Sequence, residues 1–265
     1  MFVVTVVTLL TVLSIGVISS FATESFFPYA TEVVSYEPGE GAGEYTNSST
    51  VLGKPTVTNP DPWWGDTDVT MFNPPWMKDQ IVSVGAGGHL VVKFNHPVID
   101  NPTNKHCYGI DLLIFGNSFF VIDWDPQSTT YMQVISILEE PANVEVSQDG
   151  ITWYSVTPKA DSLFPTQAHT DSGPFGASPR GITESNFCKP VNPNITIPYE
   201  KYYTDFYADM LALYDGSGGG TGVDISETGL PWIRYVRVSL PADAGYAAEI
   251  DAFSDVVAGV PSPPA

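Results

Sequence analysis

The sequence predicts an all-β protein, an antiparallel β-sandwich with one inserted helix near residues 200–214. Three observations predict it: short apolar runs of alternating polarity, turn signals between them, and 23 glycines and 23 prolines among 265 residues. Only 15% of the residues are charged and 12% are aromatic, so the chain has enough apolar material for a core and is not an acidic disordered segment. Its length fits one large domain, which we expect to span residues 23–258.

At least seven strands are predicted in the second half of the chain and just before it. Asp149-Gly150 joins two of the runs, and this dipeptide is a strong hairpin signal. The apolar residues around this turn alternate, so one face of the hairpin, with Trp153 in the core, is predicted to be buried: Val144, Val146, Ile151 and Trp153. The predicted strands are 89–94, 111–115, 131–138, 143–147, 151–156, 233–238 and 248–253.

One segment has helical spacing. Between residues 200 and 214 the large apolar residues recur every three or four positions, and Gly216 follows as a stop signal. Long loops are predicted on either side, at 158–198 and 215–222. The proline-rich end of the chain, 259–265, is predicted to be a tail.

The first 22 residues have the pattern of a secretory signal. An apolar run covers residues 2–18, and Ser20-Phe21-Ala22 fits the small-x-small rule for cleavage after Ala22. We therefore expect export to the cell exterior or the cell surface. No Lys or Arg lies close to Met1, so either the true start lies upstream or the segment is an uncleaved anchor, which is the only membrane contact that we expect.

The two cysteines are interpreted from this export signal. In an oxidising compartment Cys107 and Cys188 are expected to form one disulfide. Two buried free thiols are the alternative, because the sequence does not give the distance between them.

The charge balance excludes some partners. Ten basic residues against thirty acidic ones give a net charge of −20, and no basic patch is present, so we expect no nucleic-acid partner.

An enzyme is not expected either. The four histidines lack metal-ligand spacing, and no nucleophile elbow, phosphate loop or dinucleotide motif occurs. A carboxylate pair for glycoside hydrolysis stays open, because only its separation in space tests it.

The acidity favours calcium, which binds six to eight hard oxygen ligands. Three regions offer such oxygens: the loop 61–68, the glycine-rich segment 216–224 that ends in Asp224, and the last strand, where Glu249 and Asp251 alternate on one face. Solvated surface acids are the alternative interpretation.

Several short segments, in order, resemble bacterial secreted cell-surface proteins of the PEP-CTERM type with a galactose-binding-like (discoidin-type) jelly roll. Gly116 departs from the pattern, because the family usually has an acidic residue there. The segments are 36–41 (YEPGEG), 52–55 (LGKP), 82–94 (VSVGAGGHLVVKF), 109–120 (GIDLLIFGNSFF), 144–150 (VEVSQDG), 235–238 (YVRV) and 249–253 (EIDAF).

The resemblance implies a jelly roll, a cell-surface location, carbohydrate binding and a structural calcium near the terminal strands. It makes Glu249 and Asp251 the best metal candidates, followed by Asp111, Asn117 and Asp224.

Three loop tryptophans are the candidates for sugar contact, because an exposed indole stacks on a sugar ring: Trp63, Trp64 and Trp76. The alternative is that they cap the open end of the core.

Two functional hypotheses result. The first is a calcium-stabilised module that binds a surface glycan or polysaccharide. The second is a structural subunit of an extracellular filament, sheath or matrix, whose partner is another copy of the chain.

Overall fold

The computed structural model describes residues 27–61, 65–101 and 108–256, which form two large antiparallel sheets, two small ones, one α-helix and two short 3-10 helices. The protein is an all-β sandwich, as predicted. The predictions for residues 1–22 and 259–265 lie outside the described residues. In chain order the strands are β1 (Glu32–Glu37), β2 (Thr58–Asn59), β3 (Thr67–Asp68), β4 (Val82–Val84), β5 (His89–Ile99), β6 (Leu112–Gly116), β7 (Phe119–Ile122), β8 (Val134–Leu138), β9 (Asn143–Ser147), β10 (Tyr154–Ser155), β11 (Thr221–Val223), β12 (Trp232–Ser239) and β13 (Ala248–Asp255), and the helix, α1, is Tyr203–Tyr214.

The strands pair across long stretches of sequence. One sheet has five strands in the order β1-β5-β12-β9-β10, and the other has four in the order β11-β6-β13-β4. Two small sheets, β2-β3 and β7-β8, lie outside this pair. All the pairings between these strands are antiparallel. The finer prediction of jelly-roll connectivity stays a prediction.

The main core lies between the two large sheets. Leu90, Val92 and Val236 from the five-stranded sheet are fully buried against Ile250 and Phe253 of the four-stranded sheet. Alternate residues of a strand point to opposite faces, so the intervening residues of β5, β9 and β12 lie on the outer face of the five-stranded sheet. This outer face carries one of the candidate sites below.

A second core forms around the helix. Phe206, Tyr207, Met210 and Tyr214 of α1 are buried there, and Phe120 of β7 packs on Phe206 with ring centroids 4.8 Å apart. The predicted helix is confirmed, but it begins three residues later than predicted. Its three predicted first residues are not helical: Glu200 has a positive φ of 64°, and Tyr202, the N-cap residue, has an extended ψ of 136°.

The Asp149-Gly150 hairpin is present, but its second strand is shorter than predicted. Asp149 Oδ1 accepts hydrogen bonds from the backbone N–H groups of Ile151 and Thr152, both at 2.8 Å, and this extends the turn beyond the glycine. Ile151 is therefore 83% exposed, and Trp153 is half-buried on the outside of the sheet. The prediction that Ile151 and Trp153 belong to the core is wrong, whereas Val144 and Val146 are buried as predicted.

The helical content also bears on membrane contact. Within the described residues, no helix combines the length and the apolar character needed to cross a bilayer.

Candidate functional site

The predicted metal ligands separate into different places. Glu249 lies in one cluster of three acids, and Asp111 and Asp224 lie in another. Asp251 belongs to neither cluster, and Asn117 contacts the first one through its backbone N–H. In each cluster, one carboxylate oxygen from each acid lies within 4.8 Å of one from each of the other two.

The first cluster consists of Glu140, Asp161 and Glu249. Glu140 follows β8, Asp161 follows β10 and Glu249 is the second residue of β13, so the cluster joins two loops to the four-stranded sheet. Sequence reasoning identified only Glu249. The other two acids come from loops with no metal-ligand spacing, and no local signal marks them.

Asp161 is the buried centre of this cluster. Its Oδ1 accepts hydrogen bonds from the backbone N–H groups of Asn117 and Ser118, and its Oδ2 accepts one from that of Glu249, all at 3.0 Å. Burial raises the pKa of Asp161 to about 7; the three N–H donors oppose this shift, and the nearby Glu140 adds to it. Asn117 thus contributes its backbone to the cluster.

The absence of a side chain at Gly116 leaves room for the carboxylate of Asp161. A Cβ at residue 116 would overlap Asp161 Oδ1 and the backbone oxygen of Glu249. The place where the resemblance leads one to expect an acidic side chain is therefore occupied by a carboxylate from another loop.

The two carboxylate oxygens of Glu249 differ in their hydrogen bonds. Its Oε1 accepts a hydrogen bond from Ser83 Oγ at 2.9 Å, whereas its Oε2 is buried and has no hydrogen-bond partner in the described structure. Burial, and then the neighbouring carboxylate of Glu140, raise the pKa of Glu249. An orphaned carboxylate oxygen among three acids fits a hard cation such as calcium.

The second cluster contains Asp100, Asp111 and Asp224. Both oxygens of Asp111 are used by backbone N–H groups, from Asn101 and Ile225, each at 3.0 Å. Asp224 Oδ1 caps the short 3-10 helix Ile225–Thr228. Burial raises the pKa of Asp111 to about 6. These contacts account for Asp111 and Asp224 as residues that hold loops in place.

Asp251 does not share a site with Glu249. The register of β13 against β6 shifts between Ile250 and Ala252, so Asp251 lies at an irregularity of the strand and is buried. Its two oxygens accept hydrogen bonds from the backbone N–H and the hydroxyl of Thr56, at 2.9 and 2.8 Å.

A groove of about 440 Å³ crosses the outer face of the five-stranded sheet. We call it the sheet groove. Arg237 of β12 lies opposite Glu145 of β9 and Val91 of β5 in the strand register. The groove is lined by Val34, Ser35, Gly87, Gly88, His89, Val91, Glu145, Gly150, Trp153, Arg237, Ser239 and Leu240.

The polar side chains of the sheet groove support one another. Arg237 Nε and Nη2 each lie 2.6 Å from Glu145 Oε2. The guanidinium carbon of Arg237 lies 4.5 Å from the centre of the Trp153 ring, a cation–π contact. Ser35 Oγ and His89 Nε2 are 3.3 Å apart. The groove therefore combines an aromatic surface with fixed donors and acceptors, and sequence reasoning missed it by assigning Trp153 to the core.

Of the three tryptophans predicted to contact sugar, only Trp76 is among the described residues. Trp63 and Trp64 are outside the described residues. Trp76 is 49% exposed, beside Tyr45, Met77 and Lys78 in a shallow apolar depression. Its backbone N–H donates to Gln80 Oε1 at 3.0 Å, which fixes its loop.

A second exposed aromatic surface surrounds the start of α1. Trp124 is 53% exposed and Phe175 is 40% exposed, and Tyr203 lies between them, with centroid distances of 6.0 Å and 5.5 Å respectively. Tyr202 extends the surface, 5.0 Å from Tyr203. We call these four residues the aromatic patch.

The disulfide stays a prediction. Cys188 is buried with its Sγ 3.4 Å from Ser254 Oγ, and it is not joined to another described cysteine. Cys107 lies outside the described residues. Burial raises the pKa of the Cys188 thiol.

Comparisons with known proteins add no relative. No protein-family model matches the chain, and no curated protein matches it. The function is therefore argued from the geometry of the sheet groove and of the first acidic cluster.

Proposed function

We propose that this chain is an exported, non-catalytic carbohydrate-binding module whose ligand lies in the sheet groove. The observation that carries the proposal is the arrangement of Trp153, Arg237 and Glu145 on one face of a sheet. Sugar rings present apolar C–H faces and hydroxyl edges, so their recognition needs an aromatic surface beside fixed polar groups. The strand register places Arg237 and Glu145 side by side, and their mutual contacts fix both side chains before a ligand arrives.

Calcium belongs to this proposal as a structural ion. The first acidic cluster would hold it through Glu140, Asp161 and Glu249, with Glu249 Oε2 as the oxygen that has no other described partner. A bound calcium would neutralise the mutual repulsion of these acids and join the two loops to β13. It has no part in sugar contact in this proposal, because these three residues do not line the sheet groove.

Two tryptophan variants test the position of the binding site. We expect Trp153→Ala to abolish retention of the purified chain by immobilised polysaccharides in affinity electrophoresis, because the aromatic surface is lost. Trp76→Ala is the matched control, since Trp76 is also an accessible indole but lies outside the sheet groove. If neither wild type nor variants bind any polysaccharide on a broad glycan array, the proposal is wrong. If only Trp76→Ala loses binding, the sugar site is in the depression beside Tyr45 instead.

The aromatic patch favours the alternative function, a structural subunit that binds copies of itself. Exposed clusters of large aromatic residues are typical of interaction surfaces. Light scattering over a concentration series separates the two functions. Growth to large species that Trp124→Ser prevents would support the structural subunit, whereas a monomer at high concentration would contradict it.

A further inference from the structure

The sheet groove holds a hydrogen-bond acceptor beside a hydrogen-bond donor. Both contacts from Arg237 go to the same oxygen, Glu145 Oε2. Among the described residues, no hydrogen bond reaches Glu145 Oε1, and none uses Nη1 of Arg237. Because the two residues are direct neighbours across β9 and β12, this acceptor and this donor belong to one ion pair in the lining of the groove.

The charge of the groove is balanced. Among the described residues that line it, only Glu145 and Arg237 are Asp, Glu, Lys or Arg, and they are paired. The rest of the lining is apolar, glycine, or hydroxyl and imidazole groups. An anionic ligand would have to compete with Glu145 for Arg237, and it would approach a chain with a net charge of −20.

We propose that the sheet groove binds an uncharged pyranose through two neighbouring hydroxyls, one donating to Glu145 Oε1 and the next accepting from Arg237. The exposed part of the Trp153 indole would contact the C–H face of the same ring. This inference depends on the proposed function and adds the class of sugar: neutral hexose or pentose polymers, not uronic-acid or sulfated polymers.

The physical basis is the match between a diol and a carboxylate–guanidinium pair. Adjacent ring hydroxyls are separated by about one hydrogen-bond length and can each act as donor or acceptor. Hydrogen bonds to charged groups are shorter and stronger than those between neutral groups. The contact with Trp153 holds the guanidinium in position, so little side-chain freedom is lost on binding.

The test compares neutral and acidic polysaccharides in affinity electrophoresis. The neutral probes are β-glucan, galactan, mannan and xylan, and the acidic probes are polygalacturonate and alginate. Each is run with wild type, Glu145→Gln and Arg237→Lys. Glu32→Gln is the matched control: it removes a carboxylate from the same sheet, where Glu32 pairs with Lys93 outside the groove lining.

We expect wild type to bind at least one neutral probe more tightly than either acidic probe. Glu145→Gln and Arg237→Lys should weaken that binding about tenfold or more, because each disrupts a charge-assisted contact, and Glu32→Gln should leave it unchanged. Glu145→Gln should also increase retention by polygalacturonate, because Arg237 is no longer neutralised. Preference of wild type for the acidic probes would overturn the inference and leave the proposed function standing. Unchanged neutral binding by Glu145→Gln would also overturn it. No binding to any probe would overturn both.

Discussion

Replacing Glu249 by glutamine should make the protein more stable without calcium and less responsive to calcium. Glu249→Gln keeps the shape of the side chain and the acceptor for Ser83 Oγ. It removes a negative charge beside Glu140 and Asp161, and the new amide group can donate to Glu140. Most substitutions destabilise a protein, so a rise in stability from an isosteric substitution at a partly buried position would be unusual.

The magnitude follows from the separation of the acids. Two ionised carboxylates with one oxygen each 4.8 Å apart repel by about 3 kcal/mol at an effective dielectric constant of about 20, and Glu249 avoids this repulsion only by keeping a proton, which costs free energy at pH 8. Solvent screens part of this, because Glu140 and Glu249 are only half-buried. In chelator at pH 8 we therefore expect Glu249→Gln to raise the free energy of unfolding by about 1–3 kcal/mol. For a domain of this size each kcal/mol corresponds to about 2–4 °C in Tm.

The assay is thermal unfolding at pH 8, with chelator and across a calcium titration. Wild type should gain stability with calcium, by about 2.7 kcal/mol at a calcium concentration of 100 times Kd, and Glu249→Gln should gain much less. Glu44→Gln is the control, since Glu44 forms an exposed ion pair with Lys78 and should change stability by less than about 1 kcal/mol. The reasoning is refuted if Glu249→Gln is less stable than wild type in chelator, or if calcium stabilises both proteins equally.

Two further substitutions test the same framework. Gly116→Ala should destabilise the protein by about 1–3 kcal/mol and abolish the calcium response, because the new methyl group displaces Asp161 Oδ1; a calcium titration followed by Tm checks both effects. Asp111→Asn should cost about 1–3 kcal/mol at neutral pH, because one of the N–H groups of Asn101 and Ile225 loses its acceptor, and leave the calcium response intact; loss of that response would show that the second cluster is the calcium site.

The local elements could be predicted from the sequence. The strand 143–147 and most of helix α1 agree with the structure, because alternation and helical spacing reflect which side chains of a short segment are buried. The strands before residue 89, six-residue β1 among them, were not predicted, and β11 begins inside the segment predicted to be a loop. Strands β2 and β3 contain only two residues each, too few for a pattern to develop.

The candidate sites were mostly not predictable, because they depend on contacts between distant segments. Glu145 and Arg237 meet through the register of β9 against β12, which no local pattern specifies. Asp161 reaches Glu249 from a loop after β10. Trp153 was misassigned because the hydrogen bonds of Asp149 extend the turn and stop the alternation on which that prediction relied.

We expect buried carboxyls to give this protein a stability that falls as pH rises. Burial raises the pKa of both Asp161 and Asp251 from 3.8 to about 7. Between about pH 4 and pH 7 the folded state therefore binds more protons than the unfolded state, so stability must fall as pH rises through this window. Each carboxyl corresponds to a loss of at most about 4 kcal/mol. Carboxyls with a lowered pKa, such as Asp149, have the opposite effect: they lower stability as pH falls, but only at the acidic end of this range and below it.

The two carboxyls can be separated experimentally. Asp251→Asn should make the fall in the free energy of unfolding between pH 5 and pH 8 smaller, because an amide does not titrate. The fold should tolerate the change, because the amide can still accept from the Thr56 N–H and donate to its hydroxyl. Calcium should restore stability at pH 8 but not at pH 5, where Asp161 and Glu249 hold protons, and it should do so equally in wild type and Asp251→Asn. Denaturant unfolding in chelator at pH 5, 6, 7 and 8 measures the slope. A free energy of unfolding that rises from pH 5 to pH 8 would contradict the raised pKa values of these two carboxyls.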